Sequence, residues 1–219
     1  MQIFPRSLNK LPLVAGAGAA LALPAVVFAM WYWFSPWYTD VGYEPRQPVP
    51  YSHRLHAGEL GIDCRYCHTG VEKGPVAMVP PTQTCMNCHA SVKTDSSKLA
   101  LVRDSWKTGK PLQWVKVHKV ADYVFFDHSV HVSGGVGCVS CHGRIDQEEV
   151  VRQTKPLSMG WCLECHRDVK EKQGASAFIR PVSQVTNMEW ARQTSEGHDE
   201  VVTPPRPLNP PENCGGCHR

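Results

Sequence analysis

Cys138-Val139-Ser140-Cys141-His142 sets two thiols three residues apart and an imidazole directly after the second. The pattern recurs at Cys64-Arg65-Tyr66-Cys67-His68, Cys85-Met86-Asn87-Cys88-His89, Cys162-Leu163-Glu164-Cys165-His166 and Cys214-Gly215-Gly216-Cys217-His218, so the five copies use all ten cysteines. Sulfurs at this spacing form thioethers to one porphyrin, and the following histidine meets the iron from one face; this is the attachment signature of c-type haem. Zinc sites also use paired thiolates, and an even cysteine count suits a disulfide framework. Neither requires histidine after the second cysteine, which is present every time. A thioredoxin-like redox pair fails as well, because five copies without alternating strands and helices make no sense for that fold. The ten cysteines are therefore expected to tether five haem c groups, with His68, His89, His142, His166 and His218 as proximal iron ligands.

Each iron has a second axial position. Of eleven histidines, His53, His56, His118, His128, His131 and His198 remain. Four of them form two His-x-x-His pairs, Tyr51-Ser52-His53-Arg54-Leu55-His56 and Phe126-Asp127-His128-Ser129-Val130-His131, each followed by a glycine-containing loop and a haem site. Residues three apart on a helical turn are close neighbours on one face. Two such rings are too near to serve distant sites and too far apart to share one axial position, so they suit two irons of adjacent haems. His53, His56, His128 and His131 are the expected distal ligands, and His118 is the candidate for the fifth position. His198 lies in a polar run, Glu196-Gly197-His198-Asp199-Glu200. Methionine is the competing sixth ligand. Met159, shortly before Cys162, is its best candidate, ahead of Met78 and Met188, which otherwise read as gap-filling side chains.

The elements that must position these groups come next. The 219 residues suit one domain, or two small ones plus an anchor. Beyond the N-terminal segment about 170 residues remain for five haems, roughly 34 each, too few for an ordinary core. The porphyrins must supply much of the buried apolar surface. The expected fold is mostly irregular with short α-helices, a multihaem cytochrome c domain preceded by one transmembrane helix. Residues 1–38 read as the anchor, with an uncharged run from Leu11 to Phe34 that spans about 36 Å as a helix. Arg6 and Lys10 precede it and Trp31, Tyr32, Trp33, Trp37 and Tyr38 follow, which places the N-terminus in the cytoplasm and the haem domain outside. A cleaved signal peptide, with Val27-Phe28-Ala29 as its site, is the alternative; the apolar run is long for one. Residues 39–50 form a Pro-rich linker, 51–125 a module with two haem sites, and 126–219 a module with three. Between the modules, Leu99, Val102 and Trp106 predict a short amphipathic helix stopped at Gly109 and Pro111. Trp114 to His118 alternates like a strand, and the proline-rich stretch 203–211 reads as an extended strap to the last site.

The formal charge of +3 overstates the basic character. Each ferric haem with two neutral axial ligands adds about −1 through its propionates, which takes the total to about −2. No block of five like charges occurs, and nucleic-acid binding has no support. Iron with both axial positions filled cannot bind substrate, so outer-sphere electron transfer remains. A periplasmic reductase of nitrogen or sulfur oxyanions would need one open iron. A membrane-anchored multihaem quinol dehydrogenase feeding a periplasmic reductase is the further alternative, with five sites in two modules arguing against its four-haem form.

The paired His-x-x-His followed by haem sites resembles the small multihaem cytochromes of the c3/c7 type. In that family the first histidine of a pair serves the next haem site and the second a neighbouring one. Carried over, His53 would face His68, and His128 would face His142. From Tyr51 onward the chain is also similar to the membrane-anchored pentahaem cytochrome c subunits of alternative complex III. Thr84 to His89, Trp106 to His118, Tyr123 to Asp146 and Met159 to Asp168 carry this likeness. It implies a place in a quinol-oxidising respiratory complex of the bacterial inner membrane. The implied partners are integral membrane quinol-oxidising subunits, an iron–sulfur subunit and a monohaem cytochrome c, with a soluble carrier or oxidase downstream.

Overall fold

The structure, a computed structural model, describes residues 5–189, 204 and 207–218. A 3-10 turn, Arg6–Lys10, leads into α1, Leu11–Trp33. None of α1 is buried, and it is long and apolar enough to cross a membrane. Pro24 sits inside it, and Pro36–Thr39 forms a single turn, α2. Everything after is short. The helices are α3 (Cys64–Cys67), α4 (Thr82–His89), α5 (Ala100–Thr108), α6 (His128–Ser133), α7 (Cys138–His142), α8 (Met159–Lys172) and α9 (Cys214–Cys217). A π-helical turn covers Arg54–Glu59. Among the described residues there is no strand, only the isolated bridges Val124–His218 and Val136–Ile179. The expected fold class, short helices in irregular chain, is what is found.

Side-chain caps start three of the five motif helices and one His-x-x-His turn. Asp63 accepts from the Arg65 amide at 2.8 Å ahead of α3, and Asn213 accepts from the Gly216 amide at 2.8 Å ahead of α9. Asp127 caps α6 through the Ser129 amide, and Ser158 caps α8 through that of Trp161. Each cap satisfies an otherwise orphaned N–H and is worth about 1 kcal/mol. That suffices to hold a single turn whose far end is tied down elsewhere.

Among the described residues the buried hydrophobic side chains are mostly valine: Val49, Val102, Val117, Val132, Val139, Val169, Ile179, Val185 and Met188. No leucine, phenylalanine or tryptophan is among them. The chain is instead held by backbone and polar ties. The segment after α2 is strapped to the chain ahead of α8, with the Gly42 amide on the Gln153 carbonyl at 2.7 Å and the Gln153 amide on that of Tyr43 at 3.0 Å. The linker is thus a bound strap and not a free spacer.

Two elements differ from their sequence reading. Trp114 to His118 is extended but pairs with no strand. The Gln47 side-chain amide takes both hydrogen bonds of Val115, at 2.9 and 3.0 Å, and one glutamine does what a neighbouring strand would. The predicted helix before it is present as a 3-10 turn, Ser97–Leu99, running into α5 and ended by Gly109 at φ +71°. Its inward face is Val102 with Ser105, while Trp106 is exposed. Ser105 donates to the Lys110 carbonyl and shares a hydrogen bond with Thr82, so the serine and not the tryptophan docks the helix.

The two sequence modules interlock. The Arg54 amide bonds the Glu148 carbonyl, Ser129 the Gly74 carbonyl, and Thr186 the Asp63 carboxylate. At Gly58 the approach is closest, since a Cβ there would strike the Asp146 carbonyl oxygen. Gly58→Ala is therefore expected to wedge the modules apart at a cost of about 1–3 kcal/mol. Thermal unfolding followed by circular dichroism should show a lower midpoint, and an unchanged one would mean that this contact relaxes freely.

Candidate functional site

The histidine rings fall into facing pairs. Ring centres are 6.4 Å apart for His53 and His68, 6.3 Å for His56 and His89, 6.5 Å for His128 and His142, and 6.2 Å for His131 and His166. Planes meet at 3°, 69°, 11° and 36° respectively. Two metal–nitrogen bonds of about 2 Å, plus about 1 Å from each nitrogen to its ring centre, come to about 6 Å. The paired rings thus leave the gap that one iron and a porphyrin plane would fill. Zinc would need donors to converge, and among the described residues no three histidine, cysteine or acidic side chains do so. All ten cysteines are free of disulfides.

Each ring is aimed by its outer nitrogen. Nδ1 of His56 donates to the Ser52 carbonyl (2.8 Å) and that of His131 to the Asp127 carbonyl (2.7 Å), the same four-residue reach in both modules. His68, His89, His128 and His166 donate to the carbonyls of Met78, Val92, Pro75 and Pro211 at 2.8, 3.0, 2.7 and 2.6 Å. A proton on Nδ1 leaves Nε2 bare and pointed inward, the form an axial ligand needs. Burial, with neighbouring imidazoles adding to it, pushes His53 down to about 4 and His142 down to about 3, so both are neutral at pH 7.

The sequence reading missed two positioning rings. Tyr51 stacks on His56 (4.4 Å, 22°) and meets His53 edge-on (4.8 Å, 84°). Phe126 does the same to His131 (4.6 Å, 31°) and His128 (4.8 Å, 86°). The signal was present, since an aromatic residue stands two before the first histidine of each pair.

Other candidates fall elsewhere. The His118 ring packs edge-on against that of His142, ring centres 4.4 Å apart at 73°. Among the described residues the ring neighbour of His218 is Tyr123, at 5.7 Å. Met159 opens α8 with 67% of its surface exposed. Met78 offers His68 its backbone carbonyl from a left-handed conformation, φ +66°, and Met188 is buried. His198 lies outside the described residues.

The five attachment motifs form a row. Each His-x-x-His turn joins two sites: His53 and His56 face the first and second, His128 and His131 the third and fourth. The first and third meet where Cys64 and Cys138 are near neighbours and where His128 reaches the Pro75 carbonyl. The fourth and fifth are joined through His166 on Pro211, and Arg167 and Lys170 both pair with Glu212 just before α9. Gln173 clips the same strap by exchanging two hydrogen bonds with Leu208, 2.8 and 2.7 Å. The order in space is second, first, third, fourth, fifth.

Asp63, ahead of the first motif, accepts from Arg65 and from Thr186 of the other module. Chiefly through Arg65, its carboxyl is held at about 2, against an ordinary 3.8. A depressed acid stabilises the fold fully above the ordinary value, and that contribution is lost as pH falls toward 2. Asp63→Asn should therefore lower stability at neutral pH and flatten the acid-unfolding profile between about pH 4 and pH 2. Superimposable acid-unfolding profiles would contradict this.

Residues 124–219 match the family described as cytochrome c7 and related cytochrome c. The chain is also 30% identical, over 152 residues, to the menaquinone reductase multiheme cytochrome c subunit of Nitratidesulfovibrio vulgaris strain Hildenborough. That similarity takes in 69% of this chain and 64% of the relative, so the chain spans somewhat under two thirds of the relative's length.

Proposed function

We propose that this chain, c7-like in its C-terminal part, is a pentahaem c-type cytochrome that carries electrons within a quinol-linked complex of the bacterial inner membrane. The observation that carries the reading is the set of four imidazole pairs, 6.2 to 6.5 Å between ring centres, strung into one row of sites. Bound haem would supply reversible one-electron chemistry.

The chain's own residues do the rest. The ten cysteines tether. His68, His89, His142, His166 and His218 hold the iron from one side, and His53, His56, His128 and His131 close four sites from the other. Backbone carbonyls fix the tautomer of six of these rings, and Tyr51 and Phe126 pack against His53, His56, His128 and His131. At the four paired sites two imidazoles leave no room for substrate, which supports reading the chain as an electron carrier and not a catalyst by itself. The α1 helix would anchor it with the N-terminus in the cytoplasm and the haem sites in the periplasm, with residues 51–125 and 126–219 as modules of two and three sites.

The finer reading is a complex like alternative complex III. Integral membrane subunits would oxidise quinol, an iron–sulfur subunit and a monohaem cytochrome c would relay electrons, and a cytochrome c or oxidase would receive them. The apolar anchor and the likeness along residues 51–219 support it. A second reading has electrons flowing toward quinone, and the relative's name, as a subunit of menaquinone reductase, favours it. Purification in mild detergent should bring down polytopic and iron–sulfur subunits with the chain. Under the first reading the complex reduces cytochrome c with quinol; menaquinone reduction by a reduced periplasmic carrier, faster than the reverse, would favour the second. A chain isolated alone that still oxidises quinol would overturn both.

A further inference from the structure

Two of the six carbonyl-anchored rings share one support. His68 donates from Nδ1 to the Met78 carbonyl at 2.8 Å, and His128 to the Pro75 carbonyl at 2.7 Å. The other four anchors are the carbonyls of Ser52, Val92, Asp127 and Pro211, each in a segment of its own. His68 belongs to the first site and His128 to the third. One loop, residues 70–78, thus holds a ring in each of two neighbouring sites, one from either module. These are also the two sites whose paired rings are nearly parallel, at 3° and 11°, against 69° and 36° at the second and fourth.

The loop is shaped to present those carbonyls. It closes on buried Gly70, whose amide bonds the Ala77 carbonyl at 3.1 Å. The Gly70 carbonyl accepts from the amides of Lys73 and Gly74 at 3.0 and 3.2 Å. A Cβ on Gly70 would strike the Val76 carbonyl oxygen and come within 2.8 Å of the Met78 side chain. Met78 holds φ +66°, a conformation that few residues other than glycine adopt. Met78 is 56% exposed, so burial of its side chain does not account for this backbone. Its carbonyl, turned to His68, does. The Gly74 carbonyl meets the Ser129 amide at 3.2 Å and ties the loop to α6 beside His128.

We propose that loop 70–78 is a shared brace. Gly70, Pro75 and Met78 are positioning residues that, through His68 and His128, set ring plane and ligand basicity at the first and third sites together. The inference rests on the reading of His68 and His128 as iron ligands. An acceptor on the outer nitrogen fixes the orientation of an axial imidazole and raises its basicity, which favours ferric iron. Parallel rings donate into the same iron orbital and give low-spin ferric haem a rhombic electron paramagnetic resonance signal, which crossed rings do not. The brace keeps the two sites that meet between the modules alike in ligand geometry.

The test uses the full chain with haem attached. The unmodified protein should show two rhombic low-spin signals, one lost in His53→Ala and the other in His128→Ala, which assigns them to the first and third sites. Gly70→Ala displaces the loop, and both signals should shift together. The same two redox transitions should move to higher potential, the reduced-to-oxidised ratio at fixed poise rising by up to roughly fivefold, the equilibrium weight of one hydrogen bond. Signals from the second and fourth sites should stay in place and the haem count should hold. Should Gly70→Ala not fold, Pro75→Ala decides: it keeps the carbonyl but frees the φ that proline fixes, and should broaden the same two signals. A change at only one of the two sites, at neither, or at all five would overturn the inference. An unmodified chain with no haem at Cys64 and Cys67 or at Cys138 and Cys141 would instead defeat the underlying reading, and a haem count on that chain tells the two failures apart.

Discussion

His128→Ala is expected to turn one of the five sites from low spin to high spin and to sever the row at its middle. The His128 ring faces His142 at 6.5 Å with planes only 11° apart, and its Nδ1 is anchored to Pro75 in the other module at 2.7 Å. Alanine removes the ring and the anchor together. The other imidazole touching His142, that of His118, already packs edge-on against it at 4.4 Å. One fifth of the iron should then bind carbon monoxide on reduction, where the parent binds none at that site. Because the third site joins the first to the fourth, transfer from one end of the row to the other should fall at least tenfold, a rise of about 1.4 kcal/mol in the limiting barrier. Unchanged low-spin intensity would remove His128 from the ligand set.

Produced without haem attachment, the chain beyond α1 is expected not to fold. The reason is the core. Among the described residues the buried apolar side chains are seven valines, one isoleucine and one methionine, while Tyr66, Trp106, Tyr123, Phe125 and Val130 are exposed. Burial of so few small groups cannot offset the entropy of ordering a chain this rich in loops. The missing apolar surface is that of the porphyrins, and the gaps between paired rings are where it belongs. Far-ultraviolet circular dichroism of the haem-free soluble part should show little helix and no cooperative melt, and proteases should digest it rapidly. A cooperative transition in the haem-free protein would show that polypeptide contacts alone specify the fold.

Much of this architecture was legible before any coordinates. Motif spacing defined five attachment turns, because thioether geometry tolerates little variation. The His-x-x-His repeat marked the four rings that now stand opposite His68, His89, His142 and His166. These are local signals, written within six residues. The apolar run from Leu11 to Phe34 announced α1 for the same reason.

What was not legible depends on partners distant in sequence. Trp114 to His118 alternates like a strand, yet its partner is the side chain of Gln47, which no periodicity reveals. Leu99, Val102 and Trp106 marked a helix face correctly in register, but the docking group is Ser105, chosen by Thr82 on α4. Counting makes His118 a candidate for the fifth axial position, but counting does not show that its ring packs against that of His142. The row order depends on Cys64 meeting Cys138 and His166 meeting Pro211, both long-range contacts.

A pyridine haemochrome assay on the purified chain, normalised to polypeptide, bears most directly on the whole account. Five c-type haems per chain are expected, one for each Cys-x-x-Cys-His motif. Two or fewer, or stoichiometric zinc in their place, would contradict it.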